Sequence, residues 1–161
     1  MKNKILWITS GIPGCGKSTW IRNKISEIGG THISRDAIRF SLLNDFDDYF
    51  AKETQVFEIF ISKIQEALDT EEINPNIFVD ATHLNEISLN KVLDRLNLSN
   101  TIQINLVDFN IPLNVALERN ELRAGRSIVP RGQIRRMFEQ KATPKRSDRY
   151  NFNIITITEE E

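Results

Sequence analysis

The 161-residue chain has one cysteine, Cys15, so it can form neither an intrachain disulfide nor a zinc site built from several thiolates. That scarcity suits a reducing compartment, and a cytosolic protein is expected. Long apolar runs are also missing. The short run Ile5-Leu6-Trp7-Ile8 stops at Thr9-Ser10, far below the ~20 residues that span a bilayer, so no membrane partner is expected. Net charge is only −1, which argues against a protein that coats duplex nucleic acid by neutralising many phosphates. Internal repeats and low-complexity linkers are absent as well. The length suits one domain, residues 1–161, with a core of its own.

The few excess charges are unevenly placed. Between Asp45 and Glu72 nine acidic residues face two lysines, Lys52 and Lys63, and such a segment repels phosphate. Between Glu118 and Arg149 ten basic residues stand against four acidic ones, a local excess of +6.

Periodicity divides the chain into alternating elements. Lys4–Thr9 is a β-branched and aromatic run that enters a glycine-rich turn, and a helical pattern follows from Lys17 to about Ile28, stopped by Gly29-Gly30. Thr31–Ser34, Ile77–Val79, Ile102–Asp108 (alternating) and Phe152–Thr158 are further strand candidates. Tyr49–Leu68 reads as a helix with an acidic outer face. Leu89, Val92, Leu93 and Leu96 mark another, and Pro112 sits well as the first residue of a third that runs through Arg119 or beyond. Strands separated by helices of crossover length imply a parallel sheet in a three-layer α/β/α sandwich. Arg123–Val129 has little apolar content between two helical stretches, which makes residues 119–130 a candidate mobile lid.

Gly11-Ile12-Pro13-Gly14-Cys15-Gly16-Lys17-Ser18 satisfies the G-x-x-x-x-G-K-[ST] pattern, between a strand and a helix where it belongs. Glycines let the backbone curl so that N–H groups converge on phosphate oxygens, and the helix beyond adds the positive end of its dipole. Gly11, Pro13, Gly14, Cys15, Gly16, Lys17, Ser18 and Thr19 are therefore expected around an ATP or other NTP, with Lys17 on the β- and γ-phosphates and Ser18 as ligand to Mg²⁺. Cys15 needs no redox role, since a small residue is what the loop requires. No guanine-reading Asn-Lys-x-Asp run is present, which disfavours a GTPase. The strand Ile77-Phe78-Val79-Asp80 is followed by Ala81 rather than a second acid, which disfavours a motor ATPase.

Two loops at the carboxyl edge of the expected sheet carry the remaining chemistry. In Ser34-Arg35-Asp36-Ala37-Ile38-Arg39, Asp36 can take a proton from an attacking hydroxyl and Arg39 can grip an acceptor phosphate. A helix start capped by Ser34, with Asp36 facing the dipole and Arg39 solvated, is the alternative. In Asp80-Ala81-Thr82-His83-Leu84-Asn85, Asp80 can hold Mg²⁺ through water or brace the loop, and Thr82 can donate to an acceptor phosphate. The alternative there is capping by Thr82 and Asn85 ahead of Glu86, with His83 an exposed imidazole. Arg119, Arg123 and Arg126, spaced four and three apart, would share one helix face and could swing over a triphosphate; the alternative is a basic stripe paired with Glu118 and Glu121.

With these residues in place the chain resembles the phage polynucleotide 5′-kinases of the P-loop kinase superfamily. The resemblance runs from Lys4 to Gln140 and rests on Gly11–Trp20, Arg35-Asp36 with Arg39, Thr82–Asn85, Arg119-Asn120 through Arg123, Val129-Pro130 and Arg136-Met137. It implies that Lys17 and Ser18 serve the donor, Asp36 is the general base, and Arg39 and Thr82 bind the acceptor, with Arg35 and Asp80 as further candidates beside the acceptor. It further implies that Arg123 reaches the nucleotide's γ-phosphate, and Arg126 is a nucleotide-binding candidate from its spacing. One departure concerns Asp80. The phage motif sets an aspartate directly before the threonine, whereas Ala81 intervenes here.

The expected activity is transfer of the γ-phosphate of ATP to the 5′-hydroxyl of a DNA or RNA end, with Mg²⁺ and without the phage enzyme's 3′-phosphatase activity. Competing readings are a small-molecule or sugar-nucleotide kinase of the zeta-toxin kind and a non-catalytic ATP-binding switch.

Overall fold

A computed structural model describes residues 3–71, 73–123, 125, 128–146 and 149–159. Its strands are β1 (Ile5–Ser10), β2 (Thr31–Ser34), β3 (Asn76–Asp80), β4 (Gln103–Asn110) and β5 (Asn153–Thr158). Its helices are α1 (Lys17–Ile28), α2 (Arg35–Leu42), α3 (Glu53–Asp69), α4 (Glu86–Leu93), α5 (Leu113–Glu121) and α6 (Arg131–Gln140). The strands form one sheet in the order β2-β3-β1-β4-β5, and every pairing is parallel.

The layers follow from alternation along the strands. Leu6, Ile8, Ile104 and Leu106 point to one face and pack with Val56, Phe60, Ile61 and Ile64 of α3 and Leu89, Val92 and Leu93 of α4. Trp7, Val107 and Phe109 point to the other face, against Trp20 of α1, Ala116 and Leu117 of α5 and Ile134 of α6. Helices on both faces of a parallel sheet give the expected three-layer sandwich, with a P-loop kinase-like fold. β4 does not alternate in exposure as its sequence suggested. Flanked by β1 and β5 and covered on both faces, it is buried from Ile104 to Phe109. Full burial of a side chain such as Phe60 contributes about 2–3 kcal/mol.

Three boundaries differ from expectation for local reasons. Pro112 stands just before α5, with an extended ψ of 145°, and Leu113 is the first helical residue. The helix expected from Tyr49 begins at Glu53, because Asp48–Ala51 forms a turn first. α5 ends at Glu121, so Arg123 lies beyond it and the spacing of Arg119, Arg123 and Arg126 defines no shared helix face. Arg126 itself lies outside the described residues.

Because all five strands run the same way, their carboxyl ends and the loops that follow meet along one edge. There the loops after β1 and β3 are stitched together. Gly11 N–H donates to the Thr82 carbonyl at 2.8 Å, the Thr9 hydroxyl to the Ala81 carbonyl at 3.1 Å, and the Ser10 hydroxyl to the His83 carbonyl at 2.7 Å.

Candidate functional site

The loop after β1 curls over the N-terminus of α1. Gly14 and Gly16 adopt φ of 84° and 99°, conformations that side-chain-bearing residues avoid. At Gly14 an added Cβ would also lie 2.3 Å from the Ala116 carbonyl oxygen of α5, so the loop needs glycine twice over. Gly14→Ala is expected to weaken ATP binding at least tenfold and to lower the melting temperature, since left-handed backbone costs an ordinary residue ~1–2 kcal/mol before any clash is relieved. Calorimetric titration with ATP and a thermal melt check both.

Lys17 folds back over this loop, its ammonium donating to the carbonyls of Gly11 at 2.9 Å and Ile12 at 3.0 Å. Cys15 is buried, with Sγ 3.8 Å from the same nitrogen. Beside Lys17 the Ser18 hydroxyl donates to Asp80 Oδ2 at 2.7 Å. Burial alone would raise the Asp80 carboxyl, but the hydrogen bond from His32, the Lys17 charge and the Ser18 bond outweigh it and hold Asp80 below the usual carboxylate range. A serine hydroxyl bonded to an ionised carboxylate, next to a phosphate cradle, is a set of hard oxygen donors that fits Mg²⁺, which keeps waters and takes few protein ligands. Ser18 would hold the ion directly and Asp80 through water.

Across the same crevice, of about 470 Å³, stand Arg35, Asp36 and Arg39 of α2, together with Thr82 and Arg123. Ser34 caps α2, accepting from Ala37 N–H at 3.1 Å. Asp36 is half exposed and Oδ1 accepts from both Arg39 and the Tyr49 hydroxyl, the latter at 2.9 Å. Both bonds fall on Oδ1, so Oδ2 is the oxygen left to take a proton. Arg39 is not a solvated charge: its side chain is 7% exposed and its Nε donates to Glu53 at 2.6 Å, while Arg35 donates to the other Glu53 oxygen at 3.1 Å. Burial, then the neighbouring Asp36 charge, push the Tyr49 phenol well above its ordinary value, so Tyr49 remains a donor. Phe50 and Phe40 complete this wall.

Tyr49, Glu53 and His32 were missed by sequence reasoning. Glu53 counted as one more charge on an outward acidic face, yet it binds the two arginines of the crevice. The signal that could have found it is its place one turn ahead of the apolar series Val56, Phe60, Ile64, on the first turn of α3.

His83 overturns the expectation of an exposed imidazole. It is 3% exposed, with φ of 35°, and Nδ1 donates to the Thr9 carbonyl at 2.7 Å. Burial pushes its pKa from 6.5 down to about 4. Between those values the unfolded chain binds a proton that the folded chain refuses, so this contribution to stability is complete above pH 6.5 and is lost as pH falls towards 4. The loss amounts to about 3 kcal/mol. Denaturant melts from pH 7 to 4 should show it, and His83→Asn, which tolerates the backbone angle, should flatten the profile; parallel profiles would clear His83. The loop's last residue, Asn85, caps α4 in a reciprocal capping box with Ser88.

On the far side of the P-loop, Arg119 donates to the Cys15 carbonyl at 3.3 Å and pairs with Glu159 beyond β5, not with Glu118 or Glu121. The Asn120 amide donates to the Val129 carbonyl at 2.8 Å and accepts from its N–H at 2.9 Å, both fully buried. Much of the basic excess has partners within the chain: Arg131 pairs with Glu121 and Arg149 with Asp94 at the surface, Lys141 with buried Asp108, and Arg146 donates to the Phe152 carbonyl. Among the described residues no helix is long and apolar enough to cross a membrane.

Comparison with solved structures finds similar folds in kinases of several kinds. The chain is similar to a chain of the Pnkp1/Rnl/Hen1 RNA repair complex, with a TM-score of 0.70 and 22% identity over 87% of this chain and 44% of that one. It is similar to a gluconokinase from Sinorhizobium meliloti 1021, with a TM-score of 0.57 and 17% identity over 97% of this chain and 82% of the other. It is also similar to a fungal RNA kinase, with a TM-score of 0.61 and 13% identity over 98% of this chain and 38% of the other. The chain thus spans less than half the length of both RNA-related chains. No curated protein matches it by sequence. The family described as AAA domain matches residues 6–144, and the chain belongs to that nucleotide-binding P-loop family.

Proposed function

We propose that the protein is a phosphotransferase of the phage polynucleotide 5′-kinase type, moving the γ-phosphate of ATP to the 5′-hydroxyl of a DNA or RNA end. The observation that carries this reading is the single crevice in which Lys17 and Ser18 stand on one wall and Asp36 and Arg39 on the other. In the proposed step Asp36 accepts the proton of the acceptor hydroxyl, and the freed oxygen forms a bond to the γ-phosphorus. The bond from that phosphorus to the β-bridging oxygen breaks, and ADP leaves. Lys17 and Arg123 stabilise charge on the transferred group, and Arg39, held by Glu53 and Asp36, offers its guanidinium to the acceptor's phosphate. Mg²⁺, when bound, would neutralise charge between the β- and γ-phosphates.

Phosphorylation of a small sugar-like alcohol is the second reading. It is favoured by the acidic loop Asp45-Phe46-Asp47-Asp48, which leads directly into the wall residues Tyr49 and Phe50 and repels a polyanion. Incubation with labelled ATP and a panel of oligonucleotides and sugars separates the two. Label should appear at oligonucleotide 5′ ends, with an acceptor affinity that falls steeply as salt rises. Label on a neutral sugar alone, indifferent to salt, would reject the polynucleotide reading.

A further inference from the structure

We infer that His32 is a positioning residue for the metal end of the donor site, orienting Asp80 so that the Ser18 hydroxyl presents its lone pairs to Mg²⁺. The inference rests on the donor half of the reading above. Nothing in the proposed transfer step uses His32, yet its Nε2 lies 2.9 Å from Asp80 Oδ2, the oxygen that also accepts from Ser18.

Register explains the encounter. His32 of β2 stands opposite Phe78 of β3, and Asp80 lies two residues further on, on the same face. The sheet therefore fixes the backbone of His32 relative to that of Asp80. It does not fix the carboxylate, whose terminal torsion is broad and roughly two-fold. A donor from each side does so: Ser18 from the start of α1, His32 from the edge strand. A carboxylate can only accept, so Nε2 donates and the Asp80 plane is locked. With Asp80 locked, the Ser18 proton is committed to Oδ2, and the lone pairs of that hydroxyl are turned away from Asp80 towards the cradle. Groups that hold a metal's ligands in this way typically govern metal affinity by 10–100-fold.

His32 is also free to be a specialist. It is only partly buried, on an edge strand beside a groove lined by Ala37, Ser41, Glu66 and Thr70. A histidine kept merely to fill space would gain little there.

The test is calorimetric titration of a non-hydrolysable ATP analogue across a series of MgCl₂ concentrations, with no acceptor present, on the unmodified chain, His32→Ala and His32→Gln. In His32→Ala the Mg²⁺ concentration giving half-maximal enhancement of nucleotide binding should rise about tenfold, while affinity without Mg²⁺ stays unchanged. His32→Gln, which keeps an N–H donor, should recover most of the difference. An unchanged Mg²⁺ requirement in His32→Ala would overturn the inference, as would a Gln variant no better than Ala or an equal loss without Mg²⁺. If the unmodified chain shows no Mg²⁺-dependent binding, the donor reading falls and this inference with it. If it does and His32 is irrelevant, only the inference falls.

Discussion

Asp36→Asn is expected to cut the turnover number about 10³-fold while ATP affinity stays within a factor of two, the size of effect usual when a positioned general base is removed. The substitution keeps shape and one acceptor oxygen, so Arg39 and Tyr49 still have a partner on that side chain. What is lost is the oxygen left free to take a proton. Steady-state kinetics with a saturating acceptor, beside calorimetry with ATP, distinguishes chemistry from binding. If turnover is unchanged, the hydroxyl does not deliver its proton to Asp36, and the acceptor belongs elsewhere in the crevice. If turnover and ATP affinity fall together, Asp36 acts on the donor instead.

Lys17→Met should be of comparable size but different character. Turnover should again fall about 10³-fold, as when a preorganised donor to developing charge is removed, and ATP affinity should weaken as well. The bonds that Lys17 makes within the loop add a second consequence. Lys17 bridges the Gly11 and Ile12 carbonyls, and those two bonds brace the cradle. The variant should therefore also melt at a lower temperature without ligand. Lys17→Arg is the useful companion, since it keeps the charge but cannot reproduce a compact ammonium in so tight a loop. Retained activity in Lys17→Met would remove this lysine from the γ-phosphate.

The parts of the molecule that the sequence announces are those where backbone geometry demands particular residue types. Gly14 and Gly16 could not be replaced without strain, and so the phosphate loop is visible as a motif. The strands are visible because a parallel sheet covered on both faces needs short apolar runs. The opposite wall of the crevice is less visible. Asp36 and Arg39 belong to one helix and can be read together, but Glu53 and Tyr49 reach them from a different stretch of chain. A carboxylate that holds a buried guanidinium has the same letter as one that faces water. His83 illustrates the same limit from the other direction, since nothing local says that its loop tucks inward to meet the end of β1. The spacing of Arg119 and Arg123 misled because a helix's end is set by what its last turn packs against, not by periodicity alone.

The buried amide of Asn120 mimics a peptide group, meeting Val129 donor for acceptor as two neighbouring strands would. The end of α5 and the residue pair Val129-Pro130 ahead of α6 are thereby held at a fixed separation. That tie keeps α5 and α6 in register beside the crevice. Changes of sequence between the two partners can then leave the crevice walls below undisturbed.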